Sequence, residues 1–173
     1  SNVSNPRKQV TAAFGTELIH YAVGIGSCGV PGVLAGLGEL WRRDGSLPWA
    51  RLVEPALRLA REGTDFPRAQ AACLEMLAPV MTMREGGRIY RRDGRLLAEG
   101  ERLEQPGLVP ALEAIAEEGA RSLTVESALL ALMEERGGLV TQADLETYQA
   151  SWGEPGRVER SGYEFASRIG LSS

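Results

Sequence analysis

Histidine is almost absent from these 173 residues: His20 is the only one. A metal centre needs several ligands in one place, and no cysteine, histidine or carboxylate cluster stands near His20 in the sequence. The residue reads as a polar side chain on a strand face. Cysteine is nearly as scarce. Cys28 and Cys73 lie far apart, and the sequence leaves open either one disulfide or two free thiols. A chain of this size does not need a staple, so free thiols are expected. No apolar run approaches the roughly 20 residues of a membrane span. Blocks of basic residues are missing too. The arginines alternate with acids and the net charge is −4, which argues against a general nucleic-acid binder. Neither G-x-G-x-x-G nor a Gly-Lys-Ser/Thr loop is present, so phosphate cradling has no motif behind it. No metal and no cofactor is expected.

What is present has ordinary globular composition, 43% hydrophobic and 24% charged, enough for a single unit over 1–173 with a core of its own. The chain is organised around Gly29-Val30-Pro31-Gly32-Val33-Leu34-Ala35-Gly36-Leu37. Pro31 suits the first turn of a helix, where a missing N–H costs nothing. Gly29, Gly32 and Gly36 strip one side of that helix, which predicts a backbone lying against a neighbour. Anion binding at the same helix start is the lesser reading. Upstream, residues 1–13 read as a polar, irregular lead-in with a basic Arg7-Lys8. Residues 14–27 are strand-like: Ile19, Tyr21, Val23 and Ile25 share an apolar face opposite Leu18, His20 and Ala22.

Residues 29–149 read as helical. The first helix spans Val33 to Arg43 and ends at Asp44-Gly45. Ser46-Leu47-Pro48-Trp49 predicts an N-cap with proline in the first turn of the next. Pro55 should kink that helix or displace its start. Asp65-Phe66-Pro67 opens a third, with Ala69, Ala72, Cys73, Met76, Leu77 and Val80 as a core stripe, and Gly86-Gly87 is expected to end it. A hairpin near 88–98 turns at Asp93-Gly94, a pair suited to a type I′ turn. Helices follow after Pro106-Gly107 and from Thr124 to Arg136, and Thr141 with Asp144 forms a capping box for a last one. Glu117-Glu118 and Glu134-Glu135 read as solvated helix surface, because sequence neighbours do not share a helix face. Residues 156–168 form a strand hairpin through Ser161-Gly162. Two starting residues that look like a cloning remnant, Ser1-Asn2, and a stop at Ser173 in a strand-like run predict a piece of something larger.

The order of these features resembles the gamma-glutamyltranspeptidases. Val30-Pro31-Gly32 is followed by Ala35-Gly36-Leu37, then by Leu47-Pro48-Trp49, then by Pro55-Ala56-Leu57-Arg58-Leu59-Ala60-Arg61-Glu62-Gly63. Gln105-Pro106 leads to Leu112-Glu113-Ala114-Ile115-Ala116-Glu117-Glu118-Gly119. Gly137-Gly138-Leu139-Val140-Thr141, Asp144-Leu145 and Tyr148 continue the family order, as do Glu154-Pro155 and Gly162-Tyr163. Departures are visible. No Phe-Arg-Glu run precedes Gly29, and Arg7 does not fit that place. Arg121-Ser122-Leu123-Thr124-Val125-Glu126 stands where the family commonly has Phe-Tyr-x-Gly. Arg168-Ile169-Gly170-Leu171-Ser172-Ser173 replaces a Pro-Pro-Pro-Ser-Ser-Gly-Gly segment.

The resemblance implies a fold that is mainly α with small β elements, the helical portion of the large subunit of an N-terminal-nucleophile hydrolase of αββα type. It implies a self-cutting precursor and a threonine at the start of the small subunit. That threonine would attack gamma-glutamyl amides such as glutathione and pass the acyl group to water or an amine. The implied partners are the remainder of the precursor, with its catalytic threonine, and the gamma-glutamyl substrate. None of Thr11, Thr16, Thr64, Thr82, Thr124, Thr141 or Thr147 sits in the nucleophile's motif, so no catalytic, substrate-binding or metal residue is assigned and the chain alone is expected to be inactive. The compartment stays open, although family members are often periplasmic or extracellular. Two other readings stand beside this one: a non-catalytic helical binding module, and a metal or acid–base enzyme in its own right. Self-association is expected through an apolar face of Tyr21, Val23, Ile25, Tyr163 and Phe165.

Overall fold

The computed structural model describes residues 8–14 and 16–168. The chain is mainly helical, with paired short strands between and around the helices. Strand β1 (Lys8–Phe14) pairs antiparallel with β2 (Glu17–Val23), in register from Lys8↔Val23 to Phe14↔Glu17. This corrects the irregular lead-in over 1–13: Val10 is half-buried and Ala12 buried while Gln9, Thr11 and Ala13 are exposed, so the segment is a strand from Lys8 onward. Residues 1–7, with Arg7, lie outside the described ones. The apolar face of β2 is buried only at its far end. Ile19 is exposed, Tyr21 half-buried and Val23 buried, while Leu18, His20 and Ala22 face solvent.

A short 3₁₀ turn (Ile25–Ser27) leads to helix α1 (Val33–Asp44). Its cap is Gly32, so Pro31 stands just outside the helix and not in its first turn. Helix α2 (Trp49–Glu62) runs through Pro55 without interruption. Pro55 lies on the solvent face, where water can serve the carbonyl that the missing N–H leaves free. The displaced start does not occur: the helix begins at Trp49. Pro48 caps this helix and no side chain, Ser46 included, supplies a capping hydrogen bond.

Strand β3 (Thr64–Asp65) precedes α3 (Arg68–Met81) and pairs with β6 (Arg102–Leu103), a pairing the sequence pattern did not show because each strand is two residues long. Gly86-Gly87 begins a helix where a stop was expected: α4 (Gly86–Tyr90) takes in Ile89 and Tyr90, which had read as strand. The hairpin is therefore shorter, β4 (Arg91–Arg92) with β5 (Arg95–Leu96). Its turn residues Asp93 and Gly94 have φ of 49° and 81°, the left-handed pair of a type I′ turn. Helices α5 (Leu108–Glu118), α6 (Leu123–Arg136) and α7 (Gln142–Thr147) follow at the expected places. Strands β7 (Gly156–Arg160) and β8 (Tyr163–Ser167) close the described chain with a second turn of the same hand at Ser161-Gly162. The expected small β elements amount to four two-stranded sheets among the described residues.

The interior is divided. One core joins Phe66, Leu74 and Leu97, with Ala71, Met81, Tyr90, Leu96 and Leu103 packed around it. The other joins Met133, Val140 and Leu145, with Ile25, Val30, Leu129 and Leu130 around it. In α3 the buried residue is Leu74; Met76 and Leu77 of the expected stripe are half-buried and Cys73 is exposed. Ile25 belongs to the second core and Val23 is buried, so the expected exposed face shrinks to Tyr163 and Phe165, at 71% and 55% exposure.

Candidate functional site

The family-like stretches, far apart in sequence, meet in two places. At the first, Gly32 lies under the Tyr148 ring: a Cβ on Gly32 would overlap the tyrosine hydroxyl. Val30 packs on the core made by Met133, Val140 and Leu145. Gly138 is equally confined, since its Cβ would meet Met133 and, at 2.8 Å, Ile25 Cγ1. The Val-Pro-Gly stretch, the Gly-Gly-Leu-Val-Thr stretch and Tyr148 are thus one packing unit. Close backbone approach, expected for the glycine-rich start of α1, is found at Gly32 and at Gly38, whose Cβ would overlap that of Ala120. Gly29 and Gly36, also expected to be close-packed, have open space around them.

At the second, the Trp49 indole N–H donates to the Ile115 carbonyl at 2.8 Å. That bond fastens the Leu-Pro-Trp stretch to the Leu-Glu-Ala-Ile stretch of α5, along which α2 packs. Arg61 of α2 and Glu113 of α5 add an exposed ion pair at 2.5 Å, a geometry that contributes about 0–1 kcal/mol.

Polar side chains named in the sequence reading hold the backbone in place. Glu118, read as solvated, accepts from the Thr124 hydroxyl, from the Thr124 N–H at 3.0 Å and from the Ser122 hydroxyl at 2.9 Å. These bonds, the Thr124 hydroxyl first, hold its carboxyl below the usual range. Ser122 is itself the N-cap of α6. Thr141 and Asp144 form the expected capping box, with the Asp144 carboxylate accepting at 2.7 and 2.8 Å. Thr82 and Thr147 donate to the carbonyls of Ala78 and Ala143. His20 sits opposite Thr11 on the exposed β1–β2 ribbon, its Nδ1 2.9 Å from the threonine hydroxyl. Cys28 and Cys73 are free thiols. Among the described residues no group of three or more His, Cys, Asp and Glu is placed to hold a metal ion, and no helix is long and apolar enough to cross a membrane.

A linker from Gln149 to Pro155 joins α7 to the terminal ribbon across a polar recess floored by Gly32 and Gly36. Trp152 pins the linker to α1: its N–H donates to Glu39 at 3.0 Å and the Arg43 guanidinium lies 4.1 Å over its ring. Arg42 grips the same carboxylate at 2.6 Å. Arg42 first, then Trp152, hold the Glu39 carboxyl below its ordinary value. Sequence reading missed Trp152; an aromatic in an otherwise small and polar linker was its only signal.

The largest titration effect lies beside the hairpin. Glu101 accepts from two guanidinium nitrogens of Arg95 and from the Ala98 N–H, all at 2.6 Å, and its carboxyl falls to about 2. A carboxyl depressed on folding contributes stability above its unfolded value, and that contribution is lost as the pH falls from about 4.5 towards about 2. The difference in unfolding midpoint between the wild type and Glu101→Gln is therefore expected to be present at pH 6, to shrink below about pH 4.5 and to be lost as the pH falls through about 2. A difference independent of pH would assign the effect to packing.

The gamma-glutamyltranspeptidase family model matches residues 5–173. A glutathione hydrolase 3 from Arabidopsis thaliana is 35% identical over 146 residues, which are 82% of this chain and 23% of the relative. An acylase ACY 1 proenzyme from a Pseudomonas species is 34% identical over 146 residues, 82% of this chain and 26% of that protein. Among solved structures, a gamma-glutamyltranspeptidase from Pseudomonas nitroreducens complexed with L-DON superposes with a TM-score of 0.70 at 33% identity, over 84% of this chain and 43% of that one. The chain spans about a quarter of the length of the curated relatives it matches.

Proposed function

The chain belongs to the gamma-glutamyltranspeptidase family, and from that membership we propose that it is the helical portion of the large subunit of a self-processing gamma-glutamyl hydrolase or transferase. The observation that supports this most is the meeting of the family-like stretches in the structure. Gly32 seats Tyr148, and Trp49 is bonded to Ile115. The residues that carry the resemblance serve the scaffold of this chain.

In this reading the nucleophile is a threonine outside the chain, at the start of a small subunit released by self-cleavage. Its hydroxyl attacks the carbonyl carbon of a gamma-glutamyl amide, and its own free amine takes the hydroxyl proton. The amine of the leaving product departs with a proton and an ester acyl-enzyme remains. Water or an acceptor amine then attacks that ester, and the threonine hydroxyl is restored. The 173-residue chain contributes the support for this centre: its capping networks engage Thr124 and Thr141, and Thr82 and Thr147 are bonded to helix carbonyls.

The test is intact mass and N-terminal sequencing of the complete reading frame's product, with a gamma-glutamyl anilide assay. Two chains are expected, the shorter beginning with threonine, and replacing that threonine by alanine should abolish both processing and turnover. A single uncut chain without turnover would leave the non-catalytic binding module as the better account. The similarity to an acylase is nearly as high as to a glutathione hydrolase, so the assay includes a non-glutamyl amide. Preference for it would keep the nucleophile and change the substrate class.

A further inference from the structure

Helices α1 and α2 have strongly apolar stripes, and neither contains a buried residue. Leu37, Leu40, Trp41, Leu47 and Leu52 are 37–55% exposed. Together with Leu112 and Ile115 of α5 they line an open groove of about 670 Å³. Trp41 and Trp49 meet edge to face in its wall, ring centroids 5.7 Å apart. Both indole N–H groups are already used, on the carbonyls of Leu47 and Ile115 at 2.8 Å. Asp44 is the one charged residue of the lining, and its carboxylate lies 3.7 Å from Arg43 Nε. The groove therefore offers an occupant carbon surface and almost no hydrogen bonds. The opposite side of α2 carries Arg51–Glu54 and Arg58–Glu62 pairs and is built for water.

The total surface says what kind of occupant is needed. The chain exposes 12784 Å², whereas a folded monomer of its mass exposes roughly 8,200 Å². The excess is several times the roughly 800 Å² that one partner buries in a standard pairwise interface. A second copy seated on one face would leave most of it uncovered. Another layer of the same fold would not, because helix stripes are buried by packing layer on layer. Relatives about four times as long have the chain length to form such a layer.

We infer that the α1–α2–α5 groove is the seat of an apolar segment from the remaining part of the same precursor polypeptide. This rests on the proposal that the chain is part of a longer precursor. The segment inserts leucine-like or aromatic side chains between Leu37 and Leu52, as an amphipathic helix does in a hydrophobic groove.

The experiment uses the complete polypeptide. Leu37→Cys and Leu52→Cys are pulsed with a maleimide beside Arg58→Cys on the charged face of α2, and each site is read by peptide mass spectrometry. Labelling at positions 37 and 52 is expected to be at least about tenfold slower than at 58, at every protein concentration. Equal rates overturn the inference. Protection that disappears on dilution also overturns it, and makes the occupant a second copy. Should the variants fail to fold, hydroxyl-radical footprinting of the wild-type complete polypeptide decides: Leu37 and Leu52, about half exposed without an occupant, must be oxidised at least about tenfold more slowly than in the unfolded polypeptide. The readout does not depend on turnover. A protected groove in a protein with no N-terminal threonine would sink the enzymatic proposal and leave this one standing.

Discussion

Leu97→Ala is expected to be among the most damaging single substitutions in the chain, costing about 2–5 kcal/mol. Leu97 is 2% exposed and touches Phe66 and Leu74, which are equally buried. The backbone around it is tied from several directions. Its N–H donates to Tyr90 at 2.9 Å, the Phe66 N–H donates to Glu101 at 2.8 Å, and Gly100 donates back to Phe66 at 2.9 Å. Elements held this way cannot close over a lost isobutyl group, so the void persists and its lining loses dispersion contacts. Native-state hydrogen exchange at Phe66 and Leu97 should accelerate by about 30-fold to several thousand-fold, at tenfold per 1.4 kcal/mol. Leu97→Met, which keeps the volume, should cost less than about 1.5 kcal/mol. Unchanged exchange in Leu97→Ala would mean that this cluster is not the core of its half of the chain.

Gly86→Ala is expected to cost about 3 kcal/mol, although the position is the start of a helix, where alanine is usually welcome. A Cβ there would overlap the carbonyl oxygen of Met81, the last residue of α3. That oxygen is backbone and cannot swing aside as a side-chain tip does. The turn between the helices is tight: Gly86 donates to Met83 at 2.9 Å and Gly87 to Arg84 at 3.1 Å, with Arg84 itself at φ 48°. Gly107→Ala is the matched control. It has no atom within 4 Å of an added Cβ, and with φ −67° it should be neutral or gain about 0.4–1 kcal/mol. The melting temperature should fall by roughly 6–12 °C for Gly86→Ala and not at all for Gly107→Ala. Equal melting temperatures would show that the turn relaxes freely.

Gly86 also shows why one part of the fold was hidden in the sequence. Two consecutive glycines ordinarily stop a helix, and here they let α4 begin directly beneath the end of α3. The pair is needed for what it touches, and that is not written in local pattern. The β3–β6 pairing was hidden for a similar reason, since strands of two residues carry no periodicity. Pro55 misled in the other direction. Its propensity allows a displaced helix start, but the proline faces water and the helix, already begun at Trp49, is packed against α5. Signals with their own local chemistry were legible: the Asp93-Gly94 turn, the Thr141–Asp144 capping box, and the ends of α1, α5 and α6.

The sequence by itself determined the family, the helix-rich character and the order of the longer helices. Each of these depends on residues close together in the chain, through caps, turns and apolar spacing. The tertiary structure decided what the shared stretches are for. Gly32 serves Tyr148, Trp49 serves Ile115, and Glu118 holds the start of α6. It also decided which apolar residues are covered. Leu37 and Leu74 both sit on helical stripes, yet one is 49% exposed and the other 3%. Burial depends on which other element arrives at that face, and a stripe of leucines specifies only that something apolar must.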